Sequence, residues 1–318
     1  MFFVYFIGGN FTGGFMRNEI TVALGGGGVK GYSHLGVLRY LDKCGIHIHS
    51  IAGTSAGGLF GAVYAAGYRI DEMERMVARI EHGKLYNRLP GDGPSLLGLG
   101  GVIDLLEEML GDLTFDDLKI PMSMTAVDLE TGERIILNQG RLIDAVLATI
   151  ALPGIFPPRQ WEGRLVVDGG VVDPVPVSIA RRMTPGLPVV AVVLTPPMRA
   201  WNGHRQPPNF LSSFPLINRL YQMRLAQSFN IFLRSVDIAT CILTDMRLEL
   251  ERPDVIIRPS LKNIGLVEAV DILELIDLGE RAAEIASPQL QSLWTRKKRF
   301  STRWPILGDF FRRTSFGP

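Results

Sequence analysis

Two short apolar runs near the start of the chain each end in a glycine-rich turn, and each turn leads into a segment with helical spacing of apolar residues. The first run, Ile20 to Leu24, ends in the glycines of residues 25–31, and a helix is predicted from Tyr32 to Lys43. The second run, Ile48 to Ala52, ends in a similar turn, and a helix is predicted from Gly58 to Ala66. This alternation predicts an α/β fold, a three-layer sandwich in which helices cover a mainly parallel central sheet. In such folds the site lies at the carboxyl ends of the strands.

Later segments extend this pattern to about residue 290. Thr131-Gly132 between two apolar runs predicts a β-hairpin, and the run from Trp161 to Val167 predicts one strand that leads into Asp168. The segment from Asp71 to Glu81 predicts a charged, exposed helix. For the apolar and aromatic stretch within 207–252 two interpretations stay open, a long helix packed on the domain or a lid that faces lipid. Further predicted elements are a loop over 89–101, a helix over 141–150 and a strand over 189–194.

The composition argues against several classes of protein, among them nucleic-acid-binding, disulfide-rich and transmembrane proteins. The 318 residues contain 33 Lys and Arg against 32 Asp and Glu, so the net charge of +1 gives no general attraction to nucleic acid. Cys44 and Cys241 are too few for a disulfide framework, and no Cys/His cluster predicts a metal site. No apolar run reaches the 18 residues expected of a transmembrane helix, and no signal-peptide pattern is evident. We therefore expect a cytoplasmic protein, with any membrane contact peripheral.

The chain divides by composition into three parts. Residues 1–19 form an N-terminal extension in which Met16 is an alternative start, residues 20–290 form the main domain, and residues 291–318 form a tail. The tail interleaves positive charge, as in Arg296 to Arg299, with aromatic residues such as Trp304. This composition suits the surface of an anionic membrane, and a solvated tail is the open alternative.

The two glycine-rich turns carry the candidate chemistry. Gly53-Thr54-Ser55-Ala56-Gly57 is a G-x-S-x-G sequence between a predicted strand and a predicted helix, where a sharp turn presents the serine as a nucleophile. The backbone N–H groups of the first turn suit an oxyanion hole, which stabilises the charge that develops on a carbonyl oxygen during acyl transfer. Without that context the G-x-S-x-G sequence is weak evidence, and the alternative is that Ser55 simply caps the helix that follows.

Other sites fit these residues less well. The first turn also matches G-x-G-x-x-G, but the second strand runs into Gly53 without the acidic residue that a dinucleotide fold uses for the ribose. A phosphate-binding P-loop fails because Gly31, not Ser or Thr, follows Lys30. A Ser-His-Asp triad would have to use His204 in a polar loop, since only this histidine follows Asp168. A non-catalytic nucleotide-binding or membrane-associated module also stays open.

Three motifs in order resemble the patatin-like phospholipases, and the segments from Ala151 to Pro158 and from Asp173 to Pro176 resemble the bacterial members. The three motifs are the loop Gly26-Gly27-Gly28-Val29-Lys30-Gly31, the elbow around Ser55, and the turn Asp168-Gly169-Gly170. The resemblance spans about residues 20–286. The chain departs from the family pattern at Gly25, where Ser or Asp is more usual, and at Asp173, where Asn is common.

The resemblance implies a lipid acyl hydrolase with a Ser–Asp dyad and no cofactor, acting on a lipid or phospholipid substrate. Ser55 would be the nucleophile and Asp168 its base, and burial would raise the pKa of that aspartate. Lys30 would steady the glycine loop or attract a phosphate headgroup, with a solvated surface charge as the alternative. The implied oxyanion residues are Gly26, Gly27, Gly28 and Ala56, and the supporting glycines are Gly31, Gly53, Gly57, Gly169 and Gly170.

Overall fold

The computed structural model describes residues 18–79, 85–198, 224–261, 264–265 and 270–295. The strands are β1 (Glu19–Leu24), β2 (His47–Thr54), β3 (Met122–Asp128), β4 (Arg134–Leu137), β5 (Arg159–Trp161), β6 (Arg164–Asp168), β7 (Val189–Val192) and β8 (Val255–Ile257). The helices are α1 (Ser33–Lys43), α2 (Ala56–Ala65), α3 (Ile70–Ala78), α4 (Gly100–Leu110), α5 (Leu142–Thr149), α6 (Val177–Met183), α7 (Arg224–Glu251), α8 (Ile272–Ile285) and α9 (Ser287–Thr295). Short 3-10 helices cover Gly28–Tyr32, Phe115–Asp117 and Gly169–Val171.

The strands form one mixed sheet of eight. Hydrogen-bonded neighbours follow the order β5-β6-β3-β2-β1-β7-β8, and β4 pairs with β3. The strands from β3 through β8 in this order are parallel, whereas β4, β5 and β6 run antiparallel to their neighbours. The predicted mainly parallel α/β sheet is confirmed, and the carboxyl ends of β1, β2 and β7 lie side by side at one edge.

Strand β3 brings two distant strands end to end. It pairs with β2 through residues 122–125 and with β6 through residues 126–128, and Thr125 and Ala126 face Thr54 and Asp168. Because β4 pairs with residues 124–127, it must occupy the opposite edge of β3 from both β2 and β6. The last residues of β2 and β6 therefore meet along one edge of β3.

Apolar side chains fill both faces of the sheet, because successive strand residues point to opposite sides. Val190 and Val192 of β7 belong to the larger core, which packs under α1–α5 and α8. Val189 and Ala191 belong to a smaller core that packs under α6 and the end of α7. Helices thus cover both faces, as the predicted three-layer arrangement requires.

Three local predictions need correction. Residues 161–167 are not one strand, because Glu162 and Gly163 form a tight turn with φ of 49° and 77° between β5 and β6. Helix α3 is not simply exposed, since Ile70, Met73 and Val77 are buried on one of its faces. The loop predicted over 89–101 ends early, because α4 begins at Gly100.

Candidate active site

Ser55 sits at a sharp turn between β2 and α2, with φ of 53° and ψ of −124°. Positive φ costs a residue with a side chain about 1–3 kcal/mol and persists only where the surroundings hold it. The flanking glycines permit the close packing this turn needs: a Cβ on Gly57 would overlap the Leu24 carbonyl, and one on Gly53 would come within 2.7 Å of the Gly58 nitrogen. The strand–turn–helix context expected around Ser55 is therefore present.

Asp168, the last residue of β6, lies beside this turn. Its carboxylate accepts a hydrogen bond from the Ser55 side chain and, at 2.7 Å, one from the Gly170 N–H. The residue is 3% exposed, and burial raises the pKa of its carboxyl from 3.8 to about 6 against the lowering effect of these hydrogen bonds. Ser55 and Asp168, predicted from separate motifs, are brought into direct contact.

The backbone donors of the glycine loop are not equivalent. The Gly26 N–H donates to the Pro174 carbonyl at 2.9 Å, so this donor is already occupied. Among the residues that the structure describes, the N–H groups of Gly27 and Gly28 donate to no backbone carbonyl. Gly28 has φ of 58°, a conformation that favours glycine. Ala56 is the first residue of α2, where N–H groups have no partner within the helix.

A buried histidine and a buried lysine flank this loop. His34 Nε2 donates to the Gly25 carbonyl at 2.8 Å, and burial lowers the pKa of this imidazole to about 4, so it is neutral. The carbonyl can only accept, which places the proton on Nε2. Lys30 is 2% exposed and lines the cavity beside Ser55, which contradicts the alternative of a solvated surface charge.

An apolar cavity of about 560 Å³ opens onto Ser55 and Asp168. Its walls come from α2, α3, α4 and α7 together with the glycine loop, and most of the lining side chains are aliphatic, aromatic or methionine. Representative lining residues are Leu59, Val63, Met73, Met109 and Leu233. Such a volume and lining suit the hydrocarbon part of a ligand.

Helix α7 covers the second half of the stretch 207–252, for which the sequence left open a packed helix or a lid that faces lipid. Phe232, Leu233 and Val236 line the cavity, whereas Ile231 and Met246 are 66% and 63% exposed. The helix therefore forms a wall of the cavity and also leaves apolar side chains in solvent. The predicted aromatic stretch over 210–221 lies outside the described residues, as do His204, residues 1–17 and the tail from residue 296.

Two further predicted glycines, Gly31 and Gly169, pack closely at the site. A Cβ on Gly31 would come within 2.9 Å of the Phe60 ring in α2, and one on Gly169 would overlap Thr125. The Gly170 N–H donates to the Asp168 carboxylate, and Gly57 packs on β1. These glycines bring the two loops and the Asp168 turn against one another.

Sequence reasoning missed three buried threonines around the elbow. Thr149 Oγ1 donates to the Thr125 carbonyl at 2.6 Å and accepts the Ser55 N–H at 2.9 Å. Thr54 Oγ1 lies 2.7 Å from Thr125 Oγ1 and donates to the Asp173 carbonyl at 2.9 Å. Single threonines in a strand or at a helix end carry no motif, so only the folded arrangement reveals them.

A second buried carboxylate lies behind the site. Asp173 is fully buried, its carboxylate pairs with Arg134 of β4, and its Oδ1 has no hydrogen-bond partner among the described residues. Burial raises the pKa of this carboxyl to about 6, while the neighbouring Arg134 charge acts in the opposite direction. Asp173 does not line the cavity.

Comparison with known proteins identifies the family. A family model described as patatin-like phospholipase matches residues 22–181, half of the chain, and includes all three glycine motifs. The chain belongs to the patatin-like phospholipase family. The resemblance seen in the motifs is thereby confirmed.

The chain is also similar to individual curated proteins and to a solved structure. An uncharacterized NTE family protein of Mycobacterium bovis is 35% identical over 165 residues, which are 50% of this chain and 45% of the relative. A second one from that species is 28% identical over 280 residues, 84% of this chain and 46% of the relative. Our chain thus spans about half the length of these curated relatives. The crystal structure of VipD from Legionella pneumophila aligns with a TM-score of 0.47 and 13% identity, over 86% of our chain and 67% of VipD.

The names of the two Mycobacterium bovis relatives state no substrate. Membership of the family does not establish where in the cell the protein lies. None of the helices in the described ranges has the length and apolar character that crossing a bilayer requires. Contact of the tail with a membrane stays a prediction, as does the division into extension, main domain and tail.

Proposed function

We propose that this patatin-like chain hydrolyses carboxylic esters of lipids with a dyad of Ser55 and Asp168. The observation that carries the proposal is the hydrogen bond between a serine at a strained turn and a buried carboxylate, both at the wall of an apolar cavity. A free aspartate, with a pKa of ~3.9, is a weak base for a hydroxyl. The raised pKa of about 6 brings Asp168 closer to the range in which general bases work best.

In the first half-reaction, Ser55 Oγ attacks the ester carbonyl carbon and Asp168 takes the hydroxyl proton. The N–H groups of Gly27, Gly28 and Ala56 stabilise the negative charge on the carbonyl oxygen. Gly26, one of the donors expected from the family, is left out because Pro174 already occupies its N–H. Collapse of the tetrahedral intermediate breaks the bond to the alcohol, and Asp168 returns the proton to the leaving oxygen.

In the second half-reaction, Asp168 takes a proton from water, and the resulting hydroxide attacks the acyl-enzyme carbonyl. The fatty acid leaves and Ser55 recovers its proton. The apolar side chains of α2, α3 and α4 around the cavity suit the acyl chain of the substrate. The mechanism needs no metal or organic cofactor and no histidine.

The test is hydrolysis of a short-chain ester together with covalent labelling by a fluorophosphonate probe. We expect wild type and His204→Ala to be active and to carry one probe adduct on Ser55 by mass spectrometry. Ser55→Ala should lose both turnover and adduct. Loss of activity in His204→Ala would instead favour a triad, and a folded wild type with neither turnover nor adduct would favour a binding module.

A further inference from the structure

Three buried threonines connect the elements that supply Ser55 and Asp168. Thr54 is the last residue of β2, Thr125 lies opposite it in β3, and Thr149 is the last residue of α5. All three are fully buried. We call Thr54, Thr125 and Thr149 the threonine trio.

The hydrogen-bond directions in the trio are fixed by chemistry. A carbonyl oxygen can only accept, so Thr149 Oγ1 donates its proton to the Thr125 carbonyl and offers a lone pair to the Ser55 N–H. By the same reasoning Thr54 Oγ1 donates to the Asp173 carbonyl, and Thr125 Oγ1 donates to Thr54. Each of the three hydroxyl protons therefore has one defined acceptor.

The trio touches both halves of the site. Thr149 binds the N–H of Ser55 and so fixes the peptide plane that leads into the strained turn. Thr125 packs against Gly169, where a Cβ would overlap its Oγ1, and precedes Ala126, the residue that pairs with Asp168. A change in the trio can thus alter the relative position of the nucleophile and the base without touching either one.

We propose that the threonine trio, through Thr149 above all, is a positioning device that holds Ser55 in hydrogen-bond contact with Asp168. The inference rests on the proposed function, because it assigns the threonines a role in the same reaction. None of the three residues acts on the substrate. Their contribution is to keep Ser55 in a backbone conformation that a serine would otherwise leave.

The decisive variant is Thr149→Val, which keeps the shape of the side chain but removes the hydroxyl. We expect kcat for a short-chain ester to fall about 10- to 100-fold with KM changed less than threefold, because binding of the ester does not involve Thr149. If Ser55 then loses its hydrogen bond to Asp168, the acidic limb of the pH–rate profile should shift to higher pH, because that hydrogen bond lowers the pKa of Asp168. Thr149→Ser keeps the hydroxyl and should retain most of kcat and the original limb.

A matched control separates positioning from stability. Thr21 is another buried threonine, bonded through Oγ1 to Ser50 at 3.1 Å near the start of β1. Thr21→Val should lower Tm by a few degrees, as a lost buried hydrogen bond does, and leave kcat and the acidic limb unchanged. Should Thr149→Val fail to fold, Thr125→Val removes the donor to Thr54 and is expected to lower kcat and shift the limb in the same direction, by less because the contact of Thr149 with Ser55 stays.

Two results would overturn the inference. One is a Thr149→Val protein that melts earlier but keeps the wild-type kcat and acidic limb, and the other is a Thr149→Ser protein as impaired as Thr149→Val. Failure of the proposed function would look different, because the wild type would then show no ester hydrolysis that depends on Ser55.

Discussion

Asp168 and Asp173 lie five positions apart, and burial raises the pKa of each carboxyl to about 6, yet their surroundings differ in every other respect. Asp168 contacts the Ser55 hydroxyl at the cavity wall, whereas Asp173 faces the Arg134 guanidinium away from the cavity. The comparison teaches that a raised pKa alone does not mark a general base. The partner of the carboxylate and its access to the cavity decide whether the shift has a chemical use.

The largest expected difference between the two aspartates is in turnover. Asp168→Asn removes the proposed base and should lower kcat/KM for an ester about 10²- to 10⁴-fold, the usual contribution of general-base catalysis. Asp173→Asn should cost less than tenfold, because the side chain of Asp173 does not line the cavity. Steady-state kinetics gives kcat/KM of both purified variants, and circular dichroism verifies that they are folded. Equal losses in the two would remove the distinction.

The next effect concerns stability. Arg134→Met leaves the buried Asp173 carboxylate without its partner, and breaking a buried pair from one side costs about 3–5 kcal/mol. Urea denaturation of Arg134→Met against wild type at pH 7.5 gives the change in the free energy of unfolding. Adding Asp173→Asn to Arg134→Met should recover much of the loss, since the unpaired charge is then absent. If Arg134→Met were as stable as wild type, the ion pair between Arg134 and Asp173 would contribute nothing to the free energy of unfolding.

The smallest effect is in the pH dependence. A base must be ionised, so kcat/KM should decline about tenfold per pH unit as the pH falls below about 6, the pKa of Asp168. Asp173→Asn should keep this limb although it removes a carboxyl that titrates in the same range. The pH–rate profiles of wild type and Asp173→Asn test this prediction. Loss of the acidic limb in Asp173→Asn would show that the limb reports the titration of Asp173 and not that of Asp168.

The sequence motifs were sufficient to predict the candidate dyad and much of the sheet. Ser55 and Asp168 each stand in a short glycine-flanked sequence whose backbone requirements are local, so a pattern can reveal them. The threonine trio could not be predicted, because its hydrogen bonds join β2, β3 and α5 and depend on strand register. The occupied N–H of Gly26 was hidden for the same reason, since its acceptor Pro174 lies far along the chain.

The errors in secondary structure have equally physical causes. Glu162-Gly163 is not one of the Asn-Gly, Asp-Gly or Gly-Gly pairs that mark two-residue hairpins most strongly, and Trp161 and the apolar run from Leu165 to Val167 on its two sides favour a strand. Helix α4 begins among glycines, which disfavour helices in isolation, so tertiary packing of Leu106 and Leu110 has to supply its stability.

The end-to-end meeting of β2 and β6 on one edge of β3 also bears on the order of events during protein synthesis. The elbow leaves the ribosome well before the strand that carries Asp168, and the edge of β3 that joins them is made in between. Neither half can form the site with its own sequence neighbours. Activity should therefore be acquired only after the hairpin of β5 and β6 has docked, which makes ester hydrolysis a reporter of complete assembly rather than of early collapse.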